Sequence, residues 1–403
     1  MEQELMFKQK LKNITDIIQS KYKDVPDLGV ITGISEMSLF QFYYSKYLDV
    51  DQYANLGVEM ISYCIHQINI DYSFATYSTG LAGFGWTLQH LHSQNFLAED
   101  CDDLLHPFDE YLYNRMKFDL EQGNYDFLHG ALGYGFYFLN RYKYTQESIL
   151  KTKYQSFLLE LIDILDAHAI VEENCLKWKI ILNPDKKNKG YSLGLAHGLS
   201  NIINFLVRLS EYDVFKQSTQ KLIQGAINYI LRFERNDNVS ISLFPRWIED
   251  GKIPNYHSRV AWCYGDLGIA VSLARAGKSL KDNDLVQHAM KIFDHTNTRR
   301  TPHSTMVKDA GICHGSYGNA HIYHRVLQEF DKKPFRESVA FWMEDGIQKA
   351  MHSDGYAGYK RWTPKYGWVP DLRLLEGIVG IGLVIIDYLS PNINTWDECL
   401  LLR

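Results

Sequence analysis

The chain has 403 residues, of which 46% are hydrophobic and 22% are charged, and its formal net charge is −6. This balance is typical of a globular protein with a large core, and the acidic charge argues against a dedicated nucleic-acid binder. The N-terminus lacks the apolar core and cleavage site of a signal peptide. The longest apolar stretch, 377–389, is too short to span a bilayer of about 30 Å. We therefore expect a cytoplasmic protein without a transmembrane anchor.

Seven glycine-led segments recur along the chain, and each is followed by an apolar run with helical spacing. Their first glycines are 47 to 68 residues apart, which allows one helix out and one helix back with short turns. One such segment would indicate only a capped core helix, but seven predict equivalent helices in a circular or stacked array. The segments begin at Gly33, Gly80, Gly130, Gly198, Gly265, Gly315 and Gly377.

The stretches between these segments complete the predicted architecture. Segments such as 153–170 and 215–233 have apolar residues at i, i+3, i+4 and i+7, the pattern of amphipathic helices. Two longer connections, 175–192 and 241–259, predict small β-hairpins or ordered loops. We expect an all-α chain with one domain over 1–403, in which 1–27 form a preamble. A closed ring is favoured over an open solenoid because the end repeats lack polar caps.

The six cysteines are too few and too scattered for a disulfide scaffold, so a special cysteine would be catalytic or metal-binding. Cys263 and Cys313 each stand two residues before the first glycine of a repeat, and His314 follows the second of them. Equivalent repeats would bring these three residues together. Two thiolates and one imidazole suit Zn²⁺ and leave a fourth position open, as in catalytic zinc sites. The alternative is two buried cysteines beside a histidine that caps a helix.

A zinc ion with two sulfur ligands favours soft donors, so an incoming thiol suits its open position better than a carbonyl oxygen. A coordinated thiol is deprotonated, and such a site would make a thiolate nucleophile at neutral pH. The neighbours of Cys263 in the sequence, Trp262 and Tyr264, could line the pocket or fill the core.

Polar residues in the turns of other repeats would surround this position. His197 stands directly before a repeat glycine and could exchange protons near pH 7 or cap its helix. Asp126 could orient a histidine or cap a helix, and His129 is a competing acid–base candidate. Arg259 could stabilise a developing oxyanion or form an ion pair with Asp126.

The segments WCYG (262–265) and CHG (313–315), on a background of seven glycine-led helix starts, resemble the lanthionine synthetase C family, the cyclases of lanthipeptide biosynthesis. The resemblance covers about 28–390 and implies an α/α toroid of seven helical hairpins, whose inner helices start at GxxG-like motifs. It also implies one zinc ion per chain. In the family the zinc activates peptide cysteine thiols for Michael-type addition to dehydroalanine or dehydrobutyrine, which forms (methyl)lanthionine rings.

The resemblance implies roles for individual residues. Cys263, Cys313 and His314 match the zinc ligands. His197 matches the histidine assigned to protonating the enolate or deprotonating the thiol. Other active-site positions of the family are matched by Asp126, Arg259, Trp262 and Tyr264.

The resemblance implies several partners: a dehydrated precursor peptide with leader and core, a separate dehydratase, and an exporter complex that could hold the protein at the membrane periphery. Two alternatives stay open, a relative that adds glutathione to dehydroamino acids and a non-catalytic zinc-containing peptide scaffold. The repeats at Gly33 and Gly198 lack the second glycine, which affects only local helix packing. No SH2-like insertion is identified, so the way in which the leader is bound stays open.

Overall fold

The computed structural model describes residues 2–99, 101–183, 188–235, 241–390 and 394–403. Over these residues the chain forms fifteen α-helices and seven short β-strands, as predicted for an all-α protein with small β insertions. None of the described helices is both long enough and apolar enough to cross a membrane. The chain divides into two compact units, unit 1 with Met1–Leu112 and Lys308–Arg403, and unit 2 with Tyr113–Val307.

Seven helices, the glycine-led helices, begin directly after the seven glycines that the sequence singles out. Most of their residues are buried, so they supply much of the core of each unit. Their positions confirm the predicted helix starts. They are α2 (Ile34–Leu48), α4 (Leu81–Ser93), α6 (Ala131–Tyr144), α8 (Leu199–Ser210), α10 (Asp266–Leu280), α13 (Ser316–Glu329) and α15 (Ile378–Leu389).

A recurring backbone hydrogen bond closes the turn before a glycine-led helix. In five of these helices the first residue after the glycine donates its N–H to the carbonyl oxygen seven residues earlier, at 2.9–3.2 Å. The bond pairs one of the N–H groups that a helix start leaves without an intrahelical partner. It also fixes the length of the turn. The pairs are Ile34 with Asp27, Leu81 with Phe74, Ala131 with Asn124, Ser316 with Asp309, and Ile378 with Asp371.

The turn folds back so tightly that glycine is needed at the start of the helix. A side chain at Gly198 would overlap the carbonyl oxygen of Ser192. Gly265 has a φ of +98°, a backbone conformation that favours glycine, and a side chain there would overlap the carbonyl oxygen of Arg259. The residue just before the glycine is therefore held in a well-defined place.

The intervening helices each bury one face and expose the other. The segments 153–170 and 215–233, which the sequence predicts to be amphipathic helices, lie mostly in α7 and α9 below. The helices are α1 (Glu2–Lys21), α3 (Asp51–Ile70), α5 (Cys101–Glu121), α7 (Ser148–His168), α9 (Asp213–Leu231), α11 (Asn283–Thr298) and α14 (Lys333–Gln348), with a single turn, α12 (Pro302–Thr305), after α11.

The strands form three small antiparallel sheets, and they lie in the connections. They are β1 (Ile170–Glu172), β2 (Cys175–Lys177), β3 (Ile180–Asn183), β4 (Asn188–Ser192), β5 (Trp247–Glu249), β6 (Arg361–Thr363) and β7 (Gly367–Val369). Strand β2 and the hairpin β3–β4 lie in the first long connection as predicted, although 184–187 are outside the described residues. Strand β1, which pairs with β2, lies before that connection, and its first residue falls at the end of the segment predicted to be helix. Strand β5 pairs with β4, which joins the two long connections. The hairpin β6–β7 was not predicted.

The N-terminal segment, expected as a preamble, is mostly helix α1. Its Leu11, Ile14 and Ile18 are fully buried. Phe7 makes an edge-to-face contact with Tyr388 of α15, with ring centroids 5.7 Å apart. In unit 1 the first helix of the chain thus packs against the last glycine-led helix, a pairing between chain ends that local sequence patterns do not reveal.

A buried charge network in unit 1 ties the C-terminal segment to α13 and α15. Asp397 accepts hydrogen bonds from Arg325 Nε at 2.6 Å and from His321 Nε2 at 2.9 Å. Arg325 also bonds Asp387 at 3.0 Å, and the indole of Trp396 donates to the same carboxylate at 3.0 Å. Burial would raise the pKa of Asp397, but Arg325 and His321 outweigh it and hold that pKa below its usual range.

Breaking this network should destabilise the protein strongly. Asp397→Ala removes the carboxylate that Arg325 Nε and His321 Nε2 bond and leaves Asp387 alone to pair with the buried Arg325. We expect a loss of about 3–5 kcal/mol in the free energy of unfolding, measured by chemical denaturation. The control is Asp331→Ala, which removes an exposed partner of Arg336 and should change the stability by no more than about 0.5 kcal/mol. Equal stability of the two variants would contradict the role given to the network.

Candidate active site

In unit 2, three consecutive glycine-led helices place the residue before their glycine around one cavity. His129 precedes α6, His197 precedes α8 and Tyr264 precedes α10. All three line a cavity of about 650 Å³, to which Asp126 also contributes. The repeated turn geometry thus brings together four of the residues that the sequence proposes for acid–base or substrate contacts.

Asp126 and His197 form a directed pair. Asp126 Oδ1 accepts the backbone N–H groups of Leu128 and His129, each at 2.8 Å, which fixes the carboxylate in its own turn. Its Oδ2 lies 2.5 Å from Nδ1 of His197. Because a carboxylate accepts, the proton of the ring is assigned to Nδ1. Nε2 is then the nitrogen of His197 that can exchange a proton.

The pair perturbs the pKa values of both groups. Burial would raise the pKa of Asp126, but the charge and hydrogen bond of His197 outweigh it, so the pKa is lowered. Burial would lower the pKa of His197, but Asp126 outweighs it, so that pKa is raised. The pKa of His129 is lowered, by burial first and by the charge of His197 as well, although Asp126 opposes the shift. His197 is therefore the histidine that stays protonated to higher pH.

Aromatic side chains and the β3–β4–β5 sheet form other walls of the cavity. Tyr125, Trp178, Trp247 and Tyr264 all line it. The ring of Tyr264 lies 6.0 Å from that of His197. Trp262, by contrast, is fully buried and is not among the lining residues. Of the two aromatic neighbours of Cys263, only Tyr264 faces this cavity.

Arg259 does not form an ion pair with Asp126, the possibility that the sequence raised. Asp126 pairs with His197 instead, and Arg259 forms no ion pair with any of the described residues.

A second arginine of unit 2 lies against the cavity-lining aromatic rings. Arg246, which the sequence did not single out, lies with its guanidinium 4.1 Å from the ring centroid of Trp247 and 4.6 Å from that of Tyr264. It belongs to a long connection and not to a glycine-led segment, so the repeat pattern gave no signal for it.

In unit 1, His314 is supported by a buried carboxylate. Its Nε2 lies 3.5 Å from Oδ2 of Asp309. Asp309 is fixed by the backbone N–H groups of Gly311, at 3.3 Å, and of Trp362 in β6, at 3.1 Å. Burial would raise the pKa of Asp309, but His314 and these N–H groups outweigh it and lower that pKa. Carboxylates commonly orient metal-binding histidines in this way.

The ligand atoms of Cys263, Cys313 and His314 all lie within 4.8 Å of one another. Among the described residues this is the one group of three or more histidine, cysteine or acidic side chains close enough to share a metal ion. Two sulfurs and one imidazole nitrogen form a soft donor set that fits Zn²⁺. These three residues could therefore hold zinc.

A family model described as lanthionine synthetase C-like protein matches residues 24–401. The chain belongs to this family. Among its relatives, the nisin biosynthesis protein NisC of Lactococcus lactis subsp. lactis is 24% identical over 343 residues, which cover 80% of this chain and 76% of NisC. The solved structure of a nisin cyclase aligns with a TM-score of 0.75 and 18% identity, over 98% of this chain and 97% of that one.

The comparisons confirm two predictions made from the sequence. Membership of the lanthionine synthetase C-like family is shown over nearly the whole chain. The structural alignment with nisin cyclase confirms the α/α toroid as the fold class. The seven glycine-led helices α2, α4, α6, α8, α10, α13 and α15 correspond to the predicted inner helices.

The effect of Asp126 on His197 can be measured directly. Asp126→Asn removes the negative charge beside Nδ1, so we expect the pKa of His197 to fall below its wild-type value, as followed by NMR titration of the imidazole. The control is Asp166→Asn, an exposed carboxylate of the same unit, which should leave that pKa unchanged. A His197 pKa that is the same in wild type and Asp126→Asn would refute the pairing.

Proposed function

We propose that the chain is a zinc-dependent lanthipeptide cyclase, which joins cysteine thiols of a peptide to dehydroalanine or dehydrobutyrine and so forms (methyl)lanthionine rings. The observation that carries this proposal is the group of Cys263, Cys313 and His314 in a member of the lanthionine synthetase C-like family. The known activity of the relatives named above, nisin biosynthesis and cyclisation, supports it.

In this proposal Cys263, Cys313 and His314 hold one zinc ion, and Asp309 orients His314. Zinc bound there would lower the pKa of a substrate cysteine thiol so that its thiolate is available at neutral pH. With three protein ligands, a fourth position stays open for that thiol. Cys263 is buried, while Cys313 and His314 are partly exposed.

His197 is proposed as the acid that completes the reaction. The sulfur bonds to Cβ of the dehydro residue, and the electron pair of the C=C bond moves toward the carbonyl oxygen as an enolate. Cα must then take up a proton. Asp126 raises the pKa of His197 and occupies its Nδ1, so an imidazolium can deliver that proton from Nε2. The thiol loses one proton and Cα gains one, which balances the addition.

The other site residues receive positioning roles. Asp126 orients His197, and Tyr264 forms part of the wall that the peptide would contact. Arg259 adds positive charge near the reacting groups. Trp262, which is fully buried, would act by packing in the core and not by touching the peptide.

The proposal includes the surroundings of the reaction. The substrate is a dehydrated precursor peptide with leader and core, supplied by a separate dehydratase. The protein works in the cytoplasm, with membrane association through an exporter complex. Residues 1–403 are taken as one domain.

The decisive assay uses the zinc-loaded protein and a dehydrated peptide that retains its cysteines. Ring formation consumes thiols without changing the peptide mass, because the addition neither gains nor loses atoms. We expect fewer alkylated cysteines by mass spectrometry after incubation. Preferential addition of supplied glutathione would favour the glutathione-adding alternative, and an inert wild-type protein would favour the scaffold.

Within this assay, His197→Gln should lower kcat by about 10²–10⁴-fold while KM stays close to its wild-type value. The reason is that the imidazole of His197 transfers a proton and does not contribute to peptide binding. His288→Gln is the matched control, since His288 also pairs with a carboxylate, Glu234 at 2.6 Å in the same unit, but lies away from the cavity. A His197→Gln variant as fast as this control would remove the acid role from His197.

A further inference from the structure

Arg246 carries a positive charge that no described residue neutralises. Its Nε is buried and has no hydrogen-bond partner among the described residues. No carboxylate of the described chain forms an ion pair with it. The guanidinium hydrogen-bonds Tyr264, but a hydroxyl group is not a counter-ion. Because a partly buried cation without a counter-ion is costly to keep, this position suggests that a negative partner arrives from outside the chain.

The aromatic rings on either side hold the guanidinium in place. Arg246 packs on Trp247 and Tyr264 at the distances given above, which is the geometry of cation–π contacts. These two rings are 6.4 Å apart and nearly perpendicular. A guanidinium packed on two such rings has few conformations left, so it is preorganised before a substrate binds.

Arg246 is also near the groups that carry the chemistry. Trp247 and Tyr264 line the cavity that contains His197. The charge of Arg246 acts against protonation of His197, and the pKa of Arg246 itself is lowered, by burial first and by the nearby Arg259 as well. Arginine keeps its proton even so. Arg246 can therefore supply fixed positive charge and N–H donors, but it cannot replace His197 as an acid.

We propose that Arg246 is a catalytic residue that binds the carbonyl oxygen of the dehydro residue and stabilises the enolate formed on it. This inference rests on the proposed cyclase function. As the sulfur bonds to Cβ, the C=C electron pair becomes the enolate, whose oxygen accepts N–H groups of Arg246. When Cα receives the proton from His197, the carbonyl reforms and the charge on the oxygen disappears. Arg246 itself is unchanged.

A role of this kind is strongest in the transition state, because the oxygen carries its negative charge only after the sulfur attacks. Preorganised hydrogen-bond donors at such an oxygen raise kcat more than they strengthen substrate binding. A purely structural role of Arg246, as a cation packed between two rings, would instead lower stability or raise KM.

The test compares kcat and KM of thiol consumption in the same peptide assay. We expect Arg246→Gln to lower kcat by about 10²–10³-fold with KM near the wild-type value, and Arg246→Lys to recover part of the loss because it restores the charge. The control is Arg235→Gln, which removes another arginine packed on a ring, that of Tyr256 at 4.0 Å in the same unit. This control should keep the wild-type rate.

The outcomes separate the two proposals. If the wild-type protein consumes thiols and the Arg246→Gln variant is equally fast, the role of Arg246 is overturned and the cyclase function is not. A loss confined to KM or to thermal stability also overturns it, in favour of a structural role. A wild-type protein that consumes no thiols overturns the cyclase function, and the role of Arg246 with it.

Discussion

The site depends on one backbone constraint, the tight turn that leads into each glycine-led helix. In five of these turns a hydrogen bond reaches back seven residues from the start of the helix, and at Gly198 and Gly265 a side chain would collide with the returning carbonyl. The turn length and the glycine together fix the residue that precedes the helix. In unit 2 those residues meet at one cavity, so a residue in the sequence position before the glycine becomes a cavity-lining side chain.

The same arrangement of a carboxylate and a histidine occurs in both units. Asp126 is held by N–H groups of its own turn and bonds His197, whereas Asp309 is held by the N–H groups of Gly311 and Trp362 and lies beside His314. In each case burial alone would raise the carboxyl pKa and the histidine overrides it. The two histidines differ in their other surroundings. His197 has an accessible cavity at its side, and His314 has two thiols within ligand distance.

Local signals explain why so much could be predicted from the sequence. Helix starts depend on glycine and on the spacing of a few apolar residues, so all seven glycine-led helices were placed correctly. Long-range pairings left no such signal. Strand β5 joins β4 across more than fifty residues, and with it come Trp247 and the neighbouring Arg246. Helix α1 packs on α15 from the opposite end of the chain, and neither helix carries a sequence motif that predicts this pairing.

The most direct test of the account is the zinc content of the purified protein. We expect about one zinc per chain in the wild type. Cys263→Ala and Cys313→Ala should lose it, while Cys175→Ala, which removes a thiol outside the ligand group, should retain it; circular dichroism would confirm that all three variants keep their helices. Equal zinc retention in all three variants, or no zinc in the wild type, would contradict the proposed metal site.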